Sequence, residues 1–356
     1  MMLERKALLV GSLPFENEEE AMRQAINILG NTLFSLPDGE VGEKSEQYPL
    51  GSRQGWAMAA IDSCIADQER WEIVKDGQYG ENGFPIDYDS LYKVKPKVSP
   101  QEMVQHLNFH YHDYFRTSYP LFQQLREQHQ FPKLQFQVGT PTGMAIALHM
   151  LEPNQIFRYY DSFNERLAYE MNEILKQADD DVVIQLECPA ELGLLYQSPE
   201  MIDHALNSVI GLVKRFEYPA SIGIHLCYGD LNNKSLIHPP TLEILASFTN
   251  QLIQNWPQTH SLRYVHFPLA EGEIPPKKEE NFYQPLKEIH LPSETRFIAG
   301  IVHEKCSFDD LKEIRNTIES IRDHKVDLAC SCGMGRRSPE VSQHLMRVMK
   351  RLTEEK

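Results

Sequence analysis

Cysteine is scarce in this chain, with six residues in 356: Cys64, Cys188, Cys227, Cys306, Cys330 and Cys332. That is too few for a disulfide scaffold, and in a reducing compartment unpaired thiols stay reduced, so a cluster of them reads as a metal or redox site. Long apolar runs are missing as well. Stretches such as Ala7 to Val10 fall far short of the ~20 residues of a membrane helix, and the opening MMLERKALLVGSLP lacks the extended apolar region of a signal peptide. The expected address is cytoplasmic, with no membrane partner. Basic residues are in deficit, 35 Lys+Arg against 51 Asp+Glu, for a formal net charge of -16. Such a field repels phosphate backbones and anionic lipid, which argues against nucleic acid. Internal repeats, low-complexity tracts and linkers are also lacking, so residues 1–356 read as one domain. With 41% apolar and 24% charged residues the chain can bury a substantial core, and disorder, collagen and coiled coil are excluded.

Short β-branched and apolar runs alternate with helical patterns. Strands are expected at Ala7–Pro14, Thr32–Leu36, Leu134–Gly139, Val182–Glu187, Ser221–Cys227, Arg263–Leu269, Arg296–His303 and Val326–Cys332. Between and after them, apolar residues at i, i+3, i+4 spacing predict helices at Asn17–Leu29, Pro100–Gln128, Pro153–Gln177, Pro199–Arg215, Pro240–Trp256, Phe282–Glu288, Ser307–Ile321 and Pro339–Leu352. Several open with capping residues and an acidic first turn, as in Asn17-Glu18-Glu19-Glu20 and Ser307-Phe308-Asp309-Asp310. Eight strands with eight helices is the count of an α/β (β/α)8 TIM barrel. One irregular stretch, Val41 to Val98, follows the second strand. It is too long for a simple connection, and its place at a strand's carboxyl end suits a lid, with a surface excursion carrying a short helix around Trp56–Ala66 as the plainer alternative.

In such a barrel the chemistry belongs at the carboxyl ends of the strands. The fifth expected strand ends in His225-Leu226-Cys227-Tyr228-Gly229-Asp230, and period-two alternation sends His225 and Cys227 to the same side. The eighth ends in Cys330-Ser331-Cys332-Gly333. Imidazole and thiolate donors converging from two strand ends suit zinc, and three protein ligands with one open position is the catalytic arrangement. Taken alone, an H-x-C pair is common and buried cysteines are usually inert; two such motifs at strand ends of one fold weigh toward metal. Cys330 shares a face with Cys332 and is a competing thiol or a pocket wall. Asp38 and Glu40 close the second strand as a carboxylate pair that could orient an amine or serve as acid and base, although Pro37-Asp38-Gly39 is also ordinary turn chemistry. His303 and Glu304 stand at the seventh strand's end as a proton donor or metal support, with a capped loop as the equal alternative. His110 and His112 read as ordinary helix residues, and Cys64 and Cys306 as incidental thiols.

Six elements spread along the chain resemble those of the cobalamin-independent methionine synthase family, within the superfamily that also holds uroporphyrinogen decarboxylase. Gly11-Ser12-Leu13-Pro14 is similar to the family's G-S-F-P, and Val138-Gly139-Thr140-Pro141-Thr142 to its G-P-V-T. Gln185-Leu186-Glu187-Cys188-Pro189-Ala190 resembles Q-[IL]-D-E-P-A, and His225-Leu226-Cys227-Tyr228 the zinc-binding H-x-C-Y. Ala299-Gly300-Ile301-Val302 sits where G-V-[VY] would stand, and Cys332-Gly333-Met334-Gly335-Arg336 resembles the closing C-G-L-x-[TR]-R.

The resemblance implies a zinc-dependent methyltransferase in which His225, Cys227 and Cys332 hold Zn2+. Ser12 and Glu187, joined by Asp38, Glu40 and Cys188, would bind the amino-acid part of a thiol acceptor, with Pro189 shaping the floor. Homocysteine is the implied acceptor, a methylated folate-type compound the donor and methionine the product. His303 or Asp230 would protonate the departing amine. The chain departs from the family in three places. His266 stands where a glutamate ligand is expected, with Glu271 as the fallback. Cys188 replaces the second acid of D-E-P-A. The match covers one barrel, whereas full-length members carry a second, amino-terminal one, which implies a partner protein in its place and leaves Arg336, Arg337, Lys44 and Arg53 as the groups available to a polyglutamate tail. The rival expectations are zinc-dependent alkyl transfer to another thiol of the coenzyme M kind, and a non-catalytic barrel that binds zinc or a thiol metabolite.

Overall fold

The computed structural model describes residues 4–55 and 58–355. Its strands are β1 (Ser35–Pro37), β2 (Trp71–Lys75), β3 (Lys93–Pro96), β4 (Gln135–Pro141), β5 (Val182–Cys188), β6 (Ser221–Leu226), β7 (Ser261–Pro268), β8 (Arg296–Val302) and β9 (Asp327–Cys330). Seven of them form one parallel, curled sheet in the order β1-β4-β5-β6-β7-β8-β9, while β2 and β3 pair separately as an antiparallel hairpin. Strands β5 and β8 are almost continuously buried, as expected for parallel strands covered on both faces. The outer layer includes helices Glu18–Leu29, Tyr111–Gln128, Pro153–Ala178, Ile202–Val213, Glu243–Gln254, Phe308–Arg322 and Pro339–Glu354. Their starts follow the expected caps: Asn17 accepts from the Glu20 amide at 2.9 Å, and Ser307 from Asp310 at 3.1 Å. No described helix is long and apolar enough to cross a membrane.

The first expected strand, Ala7–Pro14, is the main departure. Only Ala7 enters a ladder, and it enters two, bridging in parallel to Leu33 beside β1 and to Leu328 in β9. The Ala7 amide donates to the Thr32 carbonyl at 2.7 Å and the Leu8 amide to Leu328 at 2.9 Å, so this short segment joins the two edges of the sheet. Further along, side chains replace the ladder. Gln137 Nε2 donates to the carbonyls of Leu9 (2.8 Å) and Val10 (2.9 Å), and Gln185 Nε2 to Val10 at 2.5 Å. Ser35 donates to Gln137 Oε1 at 2.5 Å, and Tyr264 Oη to Gln185 Oε1 at 2.9 Å. This polar layer satisfies carbonyls that would otherwise be orphaned inside the sheet. Beneath it lies a separate apolar cluster of Leu8, Val183, Tyr264, Ile298 and Ala329, distinct from the larger core between strands and helices.

Other expectations shift locally. The helix expected over Pro100–Gln128 is two, Pro100–His106 and Tyr111–Gln128, because His110 adopts a left-handed conformation (φ 62°). The buried Glu170 carboxylate accepts from the Phe109 and Tyr111 amides on either side of that break, each at 2.8 Å. Phe282–Glu288 is a single turn, Glu280–Tyr283, followed by a 3-10 segment. Helices Gly143–Met150 and Pro189–Gln197 arise directly after β4 and β5, where none was expected. In the stretch from Val41 to Val98 a helix spans Met58–Ala66, and Trp56 and Ala57 of the expected helix lie outside the described residues. The same stretch carries the β2–β3 hairpin, and the Lys93 ammonium fastens it to the Leu148 carbonyl at 2.7 Å.

Gly223 in β6 lies against the Tyr264 ring so closely that a Cβ would collide with it. Gly223→Ala is expected to destabilise the fold by about 1–3 kcal/mol through overpacking of an already filled interior. Thermal unfolding of the variant would register this as a lowered Tm with the helical circular dichroism of the native state retained.

Candidate metal centre and its cavity

The register of β5, β6 and β7 sets Glu187, His225 and His266 side by side as Cα partners. Alternation along β6 then carries Cys227, just past the strand end, to the same side as His225. From β9, Cys332 reaches the same point. Its Sγ lies 3.8 Å from Cys227 Sγ and 3.7 Å from His225 Nε2, and the three donor atoms lie within 4.8 Å of one another. The Gly229 amide donates to Cys227 Sγ at 3.3 Å. Gly333 and Gly335 allow the 333–336 turn to pass over Ser12 and Gln54, where a Cβ at either position would collide with their side chains.

His266, expected as a further ligand, stands behind His225 instead. Its Nε2 meets the Cys330 carbonyl at 2.9 Å, and its Nδ1 meets His225 Nδ1 at 2.7 Å. Burial holds His266 down at about 4 and, with His266 beside it, holds His225 well below the usual imidazole range, so both rings are neutral at pH 7. A carbonyl accepts only, so His266 Nε2 carries the proton and its Nδ1 is the acceptor. His225 Nδ1 must therefore be the donor, which leaves the lone pair of His225 Nε2 facing the two thiols. This is the tautomer a metal requires, fixed by a backbone carbonyl through a second histidine. The hydrogen bond from Cys227 and then burial raise the Cys332 thiol well above its ordinary value, a disfavour that a bound cation reverses.

Beside the cluster, the cavity is lined by Ser12, Glu40, Glu187, Asp230 and Arg336. Glu40 has a left-handed backbone (φ 51°), and the Asp38 carboxylate pins its amide at 3.0 Å. That turn aims Glu40 between Gly11 and Gly139; a Cβ on Gly139 would stand 2.7 Å from Glu40 Oε1 and 3.0 Å from Glu187 Oε1. Burial, then the neighbouring Glu187, pushes Glu40 up to about 8. On the far side, the Arg336 guanidinium donates to Ser12 Oγ at 3.1 Å. Asp230 is 6% exposed, and both carboxylate oxygens lack a hydrogen-bond partner. Burial raises it to about 6 against the pull of Arg336 and Arg337.

Several expected site residues are placed elsewhere. Asp38 is saturated by Arg53 (2.6 Å), Ser118 (2.7 Å) and the Glu40 amide, and, against its burial, Arg53 holds it below the ordinary carboxylate range; it supports Glu40 rather than meeting a ligand. Cys188 is fully buried in the outer core, because the alternation that turns Glu187 inward turns its neighbour outward. His303 has both ring nitrogens committed to backbone, Nε2 to the Gly272 carbonyl at 3.1 Å and Nδ1 to the Lys305 amide at 3.1 Å, so it is a clamp and not a proton donor. Glu271 pairs with His238, and Cys330, pushed up to about 12 by burial, lies outside the cluster. Of the four basic groups considered for a polyglutamate tail, Lys44 pairs with Glu16, Arg53 with Asp38, and Arg337 with Glu304. Arg336 alone of these four lines the cavity. Gln54, Met58, Tyr88 and His149 also line it and carried no sequence signal beyond the position of their segments.

Fold and site together define a class: an α/β protein with a curled parallel sheet whose strand ends bring together a His/Cys/Cys set able to hold a metal ion. In fold the chain is similar to a B12-independent methionine synthase from Shewanella sp. W3-18-1, solved in complex with selenomethionine, at a TM-score of 0.58 and 14% identity over 99% of this chain and 97% of that one. An endo-beta-1,4-glucanase from Xanthomonas axonopodis pv. citri matches 66% of this chain and 79% of that one at 14% identity, with a TM-score of 0.32 that carries no argument. No protein-family model and no curated protein sequence matches the chain.

Two outcomes follow from this geometry. His266→Ala is expected to weaken zinc(II) affinity about 10–100-fold by freeing the His225 tautomer, measured by competition with a chromophoric chelator. His266→Gln, whose amide accepts with oxygen and donates with nitrogen, should retain more of it. Glu40 has a folded-state pKa raised from 4.5 to about 8, so the folded state binds the extra proton between those values and loses stability as pH rises through that window. Glu40→Gln removes that loss, and its Tm gain over the native chain should be larger at pH 8.5 than at pH 5.

Proposed function

We propose that the chain is a single (β/α)8 barrel, with the segment at Ala7 as its first strand, and that it is a zinc-dependent methyltransferase acting on a thiol, with homocysteine as acceptor and methionine as product. The observation that carries this reading is the convergence of His225, Cys227 and Cys332 on the same cavity as a carboxylate pair and a guanidinium. The donor set fits zinc: one neutral imidazole with its lone pair directed at the site and two thiols, with room for a fourth ligand from the substrate. Bound there, zinc would lower the pKa of an incoming thiol so that it is held as thiolate at neutral pH.

The protein's own groups supply the rest. Glu40 and Glu187 face one another across Gly139, and an ammonium between them relieves the repulsion that pushes the Glu40 pKa up. Arg336, steadied on Ser12, is placed for the acceptor's carboxylate. An α-amino acid with a short thiol side chain meets all three features, whereas an acceptor with only an anionic tail, of the coenzyme M kind, leaves two carboxylates unused. Met58, Tyr88 and Leu91, from the stretch between Val41 and Val98, cover the cavity as a lid, which keeps water from the thiolate.

Metal analysis combined with zinc-edge X-ray absorption tests the reading. One zinc per chain, gaining a sulfur neighbour when homocysteine is added, is the expected result; zinc indifferent to homocysteine would refute the thiol-activating role. Cys227→Ser and Cys332→Ser are each expected to lose zinc and methyl transfer together, and retention of stoichiometric zinc by both variants would overturn the ligand assignment.

A further inference from the structure

The electrostatics of the cavity bear on the methyl donor. Three carboxylates, Glu40, Glu187 and Asp230, face one guanidinium, Arg336. The remaining nearby cations are committed: Arg53 to Asp38 and Arg337 to Glu304 and the Gly272 carbonyl. Two of the carboxylates are assigned to the acceptor's ammonium. Asp230 is left over, buried to 6% exposure, with neither oxygen bonded to a nitrogen or oxygen donor, beside the Cys332 thiol and within the field of Arg336 and Arg337. Arg336 and Arg337 offset part of the cost of burying this carboxylate, and a cationic ligand beside it would offset more. Tyr88 lines the same cavity. Tyr88 accepts from the Leu231 amide at 3.0 Å and donates to the Lys234 carbonyl at 3.2 Å, which fixes its ring along the loop that carries Asp230. Carboxylate and aromatic ring together form a cradle for a cation that offers methyl groups rather than N–H donors.

We propose, building on the alkyl-transfer reading, that the methyl donor is an onium compound, a sulfonium or quaternary ammonium, held between Asp230 and Tyr88. The reaction balances without an acid. The thiol proton goes to solvent when the acceptor binds; the thiolate pair then forms the new S–CH3 bond, and the pair of the breaking bond stays on the leaving sulfur or nitrogen, which departs as a neutral thioether or tertiary amine. Two opposite charges become two neutral products. A methylated tertiary amine of the folate kind would instead need a proton on its leaving nitrogen; with His303 tied to backbone on both ring nitrogens, Asp230 would have to give it and could not then serve as the fixed anion of the cradle.

The test uses the zinc-loaded full chain with homocysteine and one of three donors: trideuteromethyl S-methylmethionine, trideuteromethyl trimethylglycine, or 5-methyltetrahydrofolate as mono- and triglutamate. Labelled methionine is read by mass spectrometry, and zinc-edge absorption is recorded in parallel. The expected result is labelled methionine from at least one onium donor and none from either folate. Asp230→Asn should lower kcat/KM for that donor at least about tenfold while the zinc–homocysteine spectrum is unchanged. Turnover with folate and not with an onium donor overturns the inference and leaves the alkyl-transfer reading standing. The same holds if homocysteine joins the zinc and no donor turns over, or if Asp230→Asn leaves the onium kcat/KM unchanged. Failure of homocysteine to join the zinc overturns both.

Discussion

Cys227 and Cys332 come from strands that are not neighbours, with β7 and β8 between them, and their sulfurs lie 3.8 Å apart because the sheet curls and its two edges are held together. The hold is slender: Ala7 pairs with Leu33 on one side and Leu328 on the other, and side-chain amides finish what the ladder leaves open. Part of the candidate site sits on that junction. The carboxyl end of the first segment presents Ser12, the end of the last presents Cys332 and Arg336, and the Met334 amide donates to the Ser12 carbonyl at 2.7 Å across the join. A sheet opened at this seam would keep most of its hydrophobic core and lose the convergence of Cys332 on His225 and Cys227.

The cavity above this seam is built at a cost in stability. Glu40 is held in a left-handed conformation and close to another carboxylate; Asp230 is buried without a partner; two thiols face each other beside neutral imidazoles. Each arrangement disfavours the folded state, and each is of a kind that positive charge placed beside it relieves. The polar layer below is the opposite case. Ser35, Gln137, Gln185 and Tyr264 satisfy one another and the Leu9 and Val10 carbonyls. Satisfied networks of this kind rigidify, so the unsatisfied groups above them cannot relax by collapsing inward.

Much of this was legible from local pattern. The strands from β4 to β9 lie within a few residues of their expected spans because each is an apolar run between turn residues, and period two placed His225 beside Cys227. The same rule, carried one residue further, would have separated Glu187 from Cys188. Other features were beyond any local rule. Residues 9 and 10 leave the ladder because glutamines more than a hundred positions away bind their carbonyls. His303 is disarmed by the Gly272 carbonyl, and His266 is displaced from ligand to support by the Cys330 carbonyl; both depend on where a distant backbone oxygen lands. Backbone acceptors carry no side-chain signature, so a sequence names the imidazole and is silent about its tautomer.

The stretch that covers the cavity is fastened differently from the floor. Asn232 donates to the Pro85 carbonyl at 2.6 Å and receives the Asn82 amide at 2.9 Å, while Tyr88 is bonded to Leu231 and Lys234. These bonds lie at or near the surface and cross between two loops, where each is worth about 0.5–1.5 kcal/mol net. Their sum is of the size of a local opening, well below the cost of breaking the buried layer beneath. Because the partner loop runs directly on from Cys227 to Asp230, cover and metal loop share one set of fastenings. Parting them would loosen the Asp230 side of the site, while His225, set in the β6 ladder and backed by His266, would stay fixed.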